Sequence, residues 1–172
     1  MSESGAYVGV RIIELASGIP GPYATRFLAD QGADVIKVED RLGDPYRKNP
    51  GFHALNRNKR SVVVTNKEPL IRSGDVVVVD DIAEVDFVRS IAPGAIIVSM
   101  PIWGSVPTSR GVWGSGEHVS ATTGIAWNQV SWTEGPVQVV LPLSQYGAGM
   151  LGALAIAAGL YAREVHGSAP HY

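Results

Sequence analysis

The 172-residue sequence contains no cysteine. Disulfides, thiolate metal sites and a cysteine nucleophile are therefore excluded. Charge is sparse: 17% of residues are charged and the formal net charge is −2. Nothing general about the chain attracts nucleic acid or an anionic membrane, so any anionic ligand must be met by local groups. The N-terminus, "MSESGAYVGVRIIELASG", has no basic stretch followed by an apolar run. No secretory signal is read there, and a cytoplasmic location is expected. The four histidines, His53, His118, His166 and His171, do not pair at metal-ligand spacing, and no metal site is expected. No G-x-S-x-G occurs, which removes the nucleophile elbow, and the turn "GIPGP" (18–22) is not G-x-G-x-x-G, so it lacks the dinucleotide fingerprint.

What the chain does have is apolar residues, 45% of the total, enough for one domain with a core. From Val137 to Ala162 no residue carries a charge, and about 20 apolar residues span a bilayer. Pro142, Ser144 and Gln145 interrupt that run, and its many glycines and alanines suit close packing inside protein. A buried helix starting near Ser144 and ending at Arg163 is expected, with no membrane span.

"VRIIEL" (10–15) is a β-branched run broken by "ASGIPGP". Pro22 suits the first turn of a helix, "PYATRFLADQGA", closed by Gly32, and "DVIKVE" (34–39) follows as a second strand. This is a βαβ unit, for which parallel pairing is the expectation. "SVVVT" (61–65), "DVVVVD" (75–80) and "AIIVSM" (95–100) are further strands, continuously apolar as if covered on both faces. The fold class is α/β with a doubly wound, mostly parallel sheet. A long loop over "PIWGSVPTSRGVWGSGEH" and a helix over "VSATTGIAWNQVSW" precede the final helix. One domain over residues 1–172 is expected, with a flexible tail at about 164–172.

Three segments carry candidate chemistry. "GIPGP" (18–22) lies between a strand and a helix, where open α/β sheets bind ligands; a tight turn alone also explains its glycines. Arg41, Arg47, Lys48, Arg57, Lys59 and Arg60 place six of the fourteen cationic residues in one twenty-residue window. They form either a phosphate-binding patch or a solvated loop. "GSGEH" sets Glu117 beside His118, an acid/base pair or simply a surface helix start.

"GVRIIELASGIPGPYATRFLADQGADVIKVEDRLGDPYR" followed by "ALNRNKRSVVV" resembles the N-terminal part of the class III CoA-transferases, the superfamily of formyl-CoA:oxalate transferases, carnitine CoA-transferases and α-methylacyl-CoA racemases. "DVVVVD", "AIIVSMPIWG", "ATTG" and "LPLSQYGAGMLGALAIAAGLYAREVHG" continue the resemblance in order. It implies a Rossmann-like large domain, truncated before a second, smaller one, with coenzyme A or an acyl-CoA as ligand and no covalently bound cofactor. It also implies interlocked chains, hence a homo- or hetero-oligomer with a related CoA-transferase chain.

In that family an aspartate begins the helix that corresponds to the last one of this chain and attacks the acyl-CoA. Anchored on Gly149, the position is Gln145, and a neutral amide is no nucleophile. The racemases' histidine position falls at about Ser115, while His118 stands where Asn is usual. The CoA-binding positions implied by the resemblance are Gly18, Ile19, Pro20, Arg41, Arg57, Lys59, Arg60 and Asp80. Asp40 and Asp80 bring acid close to where phosphates would lie. The expectation is a non-catalytic or partner-dependent chain. An active transferase or racemase using another carboxylate such as Glu117, and a scaffolding module without CoA dependence, are the alternatives.

Overall fold

Short strands of Val and Ile, joined by connections long enough to hold a helix, set the architecture. The structure is a computed structural model that describes residues 5–105, 114–130, 132, 134–138, 140–167 and 171–172. Among these residues the strands are β1 (Arg11–Glu14), β2 (Asp34–Glu39), β3 (Arg60–Val63), β4 (Val76–Val79) and β5 (Ile96–Ser99). The helices are α1 (Pro20–Ala29), α2 (Phe52–Leu55), α3 (Glu68–Arg72), α4 (Ala83–Ile91), α5 (Gly116–Thr122) and α6 (Leu143–His166). A 3₁₀ turn lies at Pro45–Lys48.

The sheet order is β3-β2-β1-β4-β5 and every pairing is parallel, with Ile13 opposite both Ile36 and Val77. Strand order reverses between β1 and β4. The crevice at their carboxyl ends is where doubly wound sheets take ligands.

Successive strand residues point to opposite faces, and two hydrophobic layers result. Ile12, Val35, Val76, Val78, Ile96 and Val98 meet Leu28 of α1 and Ile156 of α6. Ile13, Ile36, Val77, Val79 and Ile97 meet Ile71 of α3 and Val85, Val88 and Ile91 of α4. The inner strand β4 is buried along its whole length.

The 24-residue α6 lies against α1 and β5 through small residues. A Cβ at Gly149 would come within 2.8 Å of the Pro20 carbonyl oxygen and 2.9 Å of the Tyr23 ring. Gly152 is as close to Met100 and Ala24, and Gly159 to Ile96. Tyr146 stacks edge-on against Tyr23 with ring centres 4.8 Å apart. The opposite side of α6 is uncovered: Met150, Leu154, Tyr161 and Val165 are exposed. By length and composition alone α6 would reach across a membrane.

Several boundaries differ from the sequence reading. β3 is an edge strand, and Arg60, Ser61 and Val63 are exposed rather than covered on both faces; β-branched composition does not separate edge from central strands. The helix expected over 119–132 is the shorter α5. Thr122 and Thr123 turn their hydroxyls back to the His118 and Val119 carbonyls, and Gly124 (φ 80°) leaves the helical region. Residues 106–113 of the expected long loop, and positions 131 and 133, lie outside the described residues.

α6 begins one residue before Ser144 and runs past Arg163 to His166, where Gly167 (φ 68°) closes it in the left-handed conformation. Beyond it, the Tyr172 N–H donates to the Ile97 carbonyl at 2.9 Å, and the Ser99 N–H donates to the Tyr172 carbonyl at 2.8 Å. Those bonds lay the terminal residues beside β5.

Candidate functional site

β1 ends at Glu14 and α1 begins at Pro20, so the chain must turn sharply at the mouth of the crevice. Gly18 takes a positive φ of 70°, a conformation that costs glycine little. Asp80, just past β4, grips this turn from across the crevice. Its Oδ2 accepts hydrogen bonds from the Ser17 N–H (2.8 Å) and the Ser17 hydroxyl (2.9 Å).

The turn opens onto a cavity of about 680 Å³ lined by Ser17, Gly18, Ile19, Pro20, Asp80 and Gln145, with Ser115, Gly116 and Ser144 at the far wall. Gln145 enters from the first turn of α6. Its amide lies across the Cα of Gly116, where any larger residue would run into it. The Ser144 hydroxyl is buried and has no hydrogen-bond partner among the described residues. Gln145 also lines a smaller cavity of about 500 Å³ with Ile19, Gly116 and Glu117. The structure thus brings together Gly18, Ile19, Pro20, Asp80 and Gln145.

It does not bring the basic segment to that place. Arg57 pairs with Asp30, and Arg60 pairs with Asp34, at the amino-terminal edge of the sheet. The Lys59 side chain is 1% exposed, and its ammonium lies 2.8 Å from the Glu14 carboxylate. Arg47 forks onto Glu39 and stacks over Phe52. Arg41 is exposed in the turn after β2. These side chains are distributed over both ends of the sheet and do not form one patch.

A second cavity of about 460 Å³ adjoins the first, sharing Ser17 and Asp80. Six carboxylate residues line it against two lysines, Lys37 and Lys67. Lys67 is paired with Glu84, and Lys37 with Glu14 and Asp44. The local field is acidic and opposes a polyphosphate there.

Beneath the turn lies a group of charges that the sequence reading missed. Glu14 is fully buried between Lys37 (2.9 Å), Lys59 (2.8 Å) and the Thr25 hydroxyl. Burial drives its carboxyl pKa up, but the Lys59 and Lys37 ammoniums outweigh that and hold it below the ordinary value. Burial likewise pulls Lys37 down, and Glu14 and Asp44 more than restore it. Asp44 Oδ2 sits 2.6 Å from Lys37 Nζ without the alignment of a hydrogen bond. Burial prevails at Lys59, whose pKa is lowered. The available signal was a lone acid in "RIIEL" and a lone lysine in "DVIKVE", since a charge in a strand covered on both faces needs a partner.

On the far wall, the Ser115 hydroxyl donates to Glu117 at 2.5 Å and lies 2.8 Å from His118 Nδ1. That hydroxyl holds the Glu117 carboxyl below its usual range. Among the described residues no group of three His, Cys, Asp or Glu is placed to hold a metal ion.

This arrangement pairs a turn at a switch point with a helix start facing it across a cavity, and it has counterparts. CoA-transferase family III matches residues 7–171. The CoA-transferase/lyase DddD of Marinomonas sp. is 34% identical over 181 residues, covering 93% of this chain and 22% of that protein. A formyl-CoA:oxalate CoA-transferase of Rhodopseudomonas palustris is 33% identical over 91% of this chain and 43% of its own length. Among solved structures, the hypothetical protein Rv3272 of Mycobacterium tuberculosis superposes with a TM-score of 0.87 at 26% identity, over 98% of this chain and 53% of that one. A CAIB/BAIF family protein of Brucella suis gives 0.88 at 25% identity, over 98% and 52%. The chain spans about half the length of those structures and less than half of the curated relatives it matches. On these grounds the chain belongs to CoA-transferase family III.

Proposed function

We propose that this chain is a CoA-transferase module that keeps the shape of a thioester site without the nucleophile, and that it works with a related chain that carries one. The observation behind this reading is Gln145. It occupies the start of α6, faces the turn across the 680 Å³ cavity, and presents an amide. A carboxylate there would attack the thioester carbonyl and release CoA thiolate, leaving an acyl anhydride on the protein. An amide has no negative charge to offer, although it retains hydrogen-bonding capacity for a bound thioester. Among the described residues, the one side-chain carboxylate lining that cavity, Asp80, is engaged by Ser17.

A CoA thioester is the proposed ligand, with its acyl end toward Gln145. The proposed partner surface is the outer side of α6, where Met150, Leu154, Tyr161 and Val165 are exposed. Contiguous apolar surface of this kind favours association.

A second reading is an acyl-CoA enzyme that uses Glu117. It is favoured by one observation: Glu117 lines the smaller cavity beside Gln145, with its carboxyl held ionised by Ser115.

The test is acyl transfer from an acyl-CoA to a carboxylic acid, measured as CoA exchange, for the wild type, Gln145→Asp and Glu117→Gln. The first reading expects no turnover in the wild type and a gain in Gln145→Asp, with a hydroxylamine-sensitive acyl adduct at residue 145. Wild-type activity that Glu117→Gln abolishes would replace it with the second.

A further inference from the structure

Three sequence blocks far apart in the chain meet in one buried cluster. "RIIEL" supplies Glu14, "DVIKVE" supplies Lys37, and "NRNKRS" supplies Lys59. Each ammonium makes one further bond to the backbone. Lys37 Nζ donates to the Ala16 carbonyl at 3.0 Å, and Lys59 Nζ donates to the Pro22 carbonyl at 2.8 Å. Ala16 precedes the ligand turn and Pro22 follows it. One carboxylate thus holds two lysines, and each lysine holds one end of Ser17–Gly21. The Thr25 hydroxyl, in the second turn of α1, also donates to Glu14.

We propose that Lys59 and Lys37, tied together by Glu14, are positioning residues that fix the Ala16–Pro22 turn and thereby the floor of the 680 Å³ cavity. Lys59 then acts on a bound ligand through the Pro22 carbonyl rather than by touching a phosphate. Its burial agrees with this: a side chain 1% exposed and bonded to Glu14, Pro22 and Asn56 has no ammonium hydrogen turned to the cavity. Charged donors suit the task because their hydrogen bonds are short and strong in a dry site. Asp80 completes the hold from the other side of the crevice through Ser17.

This inference deepens the reading of the cavity as a thioester site, but it is tested without any ligand. Amide hydrogen exchange is measured on the whole ligand-free chain for the wild type, Lys59→Met, and the double variant Glu14→Gln/Lys59→Met. Lys59→Met leaves Glu14 short of one counter-charge and will lower overall stability. The double variant removes both charges and recovers much of that loss, because a neutral buried pair needs no counter-ion. In the double variant the Pro22 carbonyl still lacks its lysine donor.

The expected result is about tenfold faster exchange at the hydrogen-bonded amides of Ser17 and Tyr23 in both variants, while β4 amides in the double variant exchange as in the wild type. Wild-type exchange in the turn of the double variant would overturn the proposal, as would a rise spread equally over β4 and the turn. Calorimetric titration with free CoA gives a separate readout. If the wild type does not bind CoA, the thioester reading fails and the exchange result still stands. If it binds, the double variant should bind about tenfold more weakly with an unchanged salt dependence. A shallower salt dependence would mean that Lys59 meets a phosphate directly.

Discussion

The Gln145 side chain lies across the Cα of Gly116, so that residue 116 has no room for a Cβ while the amide stays where it is. The contact ties the start of α6 to the start of α5 at the wall shared by two cavities. Gly116→Ala is expected to drive Gln145 out of its present rotamer. The clash is with a flexible side chain, so the stability loss should stay near or below about 1 kcal/mol. Any ligand affinity measured at this site should fall by a larger factor than that. Equal denaturation midpoints together with weakened binding would show that Gly116 serves the site.

Gly149 presents the opposite case. Its neighbour is the Pro20 backbone oxygen, which cannot swing away. Helix propensity alone favours Ala over Gly by about 1 kcal/mol, yet Gly149→Ala should destabilise the chain by about 1–3 kcal/mol because α6 must lift from α1. Urea denaturation gives the sign directly.

The sheet itself was legible in the sequence because its signals are local. β-branched runs bounded by Gly, Pro and Asp marked four of the five strands closely, and the βαβ pattern gave their parallel pairing. The turn between β1 and α1 was legible for the same reason, since "GIPGP" sits between a strand and a helix. What stayed hidden depends on contacts distant in the chain. The ion pairs of Arg57 with Asp30 and of Arg60 with Asp34 join positions 27 and 26 apart, which no local pattern shows. Lys59 could not be assigned to Glu14, 45 positions away, from composition. The shortness of α5 was missed because the two threonines that bond back to its carbonyls read equally well as helix interior.

Glu39 supplies an acid-sensitive element. Burial raises its pKa, but the Arg47 guanidinium, the Ser61 hydroxyl and the Asp44 N–H together bring it from the ordinary 4.5 to about 2. A carboxyl depressed in the folded state contributes stability that is complete above its unfolded value and is lost as pH falls toward the folded one. Wild-type stability should therefore decline between about pH 4.5 and 2, with Glu39 accounting for about 3 kcal/mol at most. Glu39→Gln should flatten that part of the profile and be less stable at pH 7. An unchanged acid limb would remove this assignment.

Asp80 holds Ser17 but also places a negative charge where both cavities meet. Asp80→Asn keeps a carbonyl acceptor for Ser17 and removes the charge. If the ligand carries phosphates, its affinity should rise by about fourfold, the worth of one charge removed at roughly 10 Å in partly screened surroundings. The gain should shrink as salt is added. A loss of affinity at every salt concentration would mean that holding Ser17 matters more than the charge.

On the proposed reading, the cavity between the Ser17–Pro20 turn and Gln145 still receives a CoA thioester although the amide cannot attack it. Calorimetric titration of the purified chain with free CoA and with an acyl-CoA is the decisive measurement. Micromolar binding of both is expected, with no consumption of the thioester during the titration. Absence of binding up to millimolar ligand, in a chain shown to be folded, would contradict it and leave association through α6 as the activity to pursue.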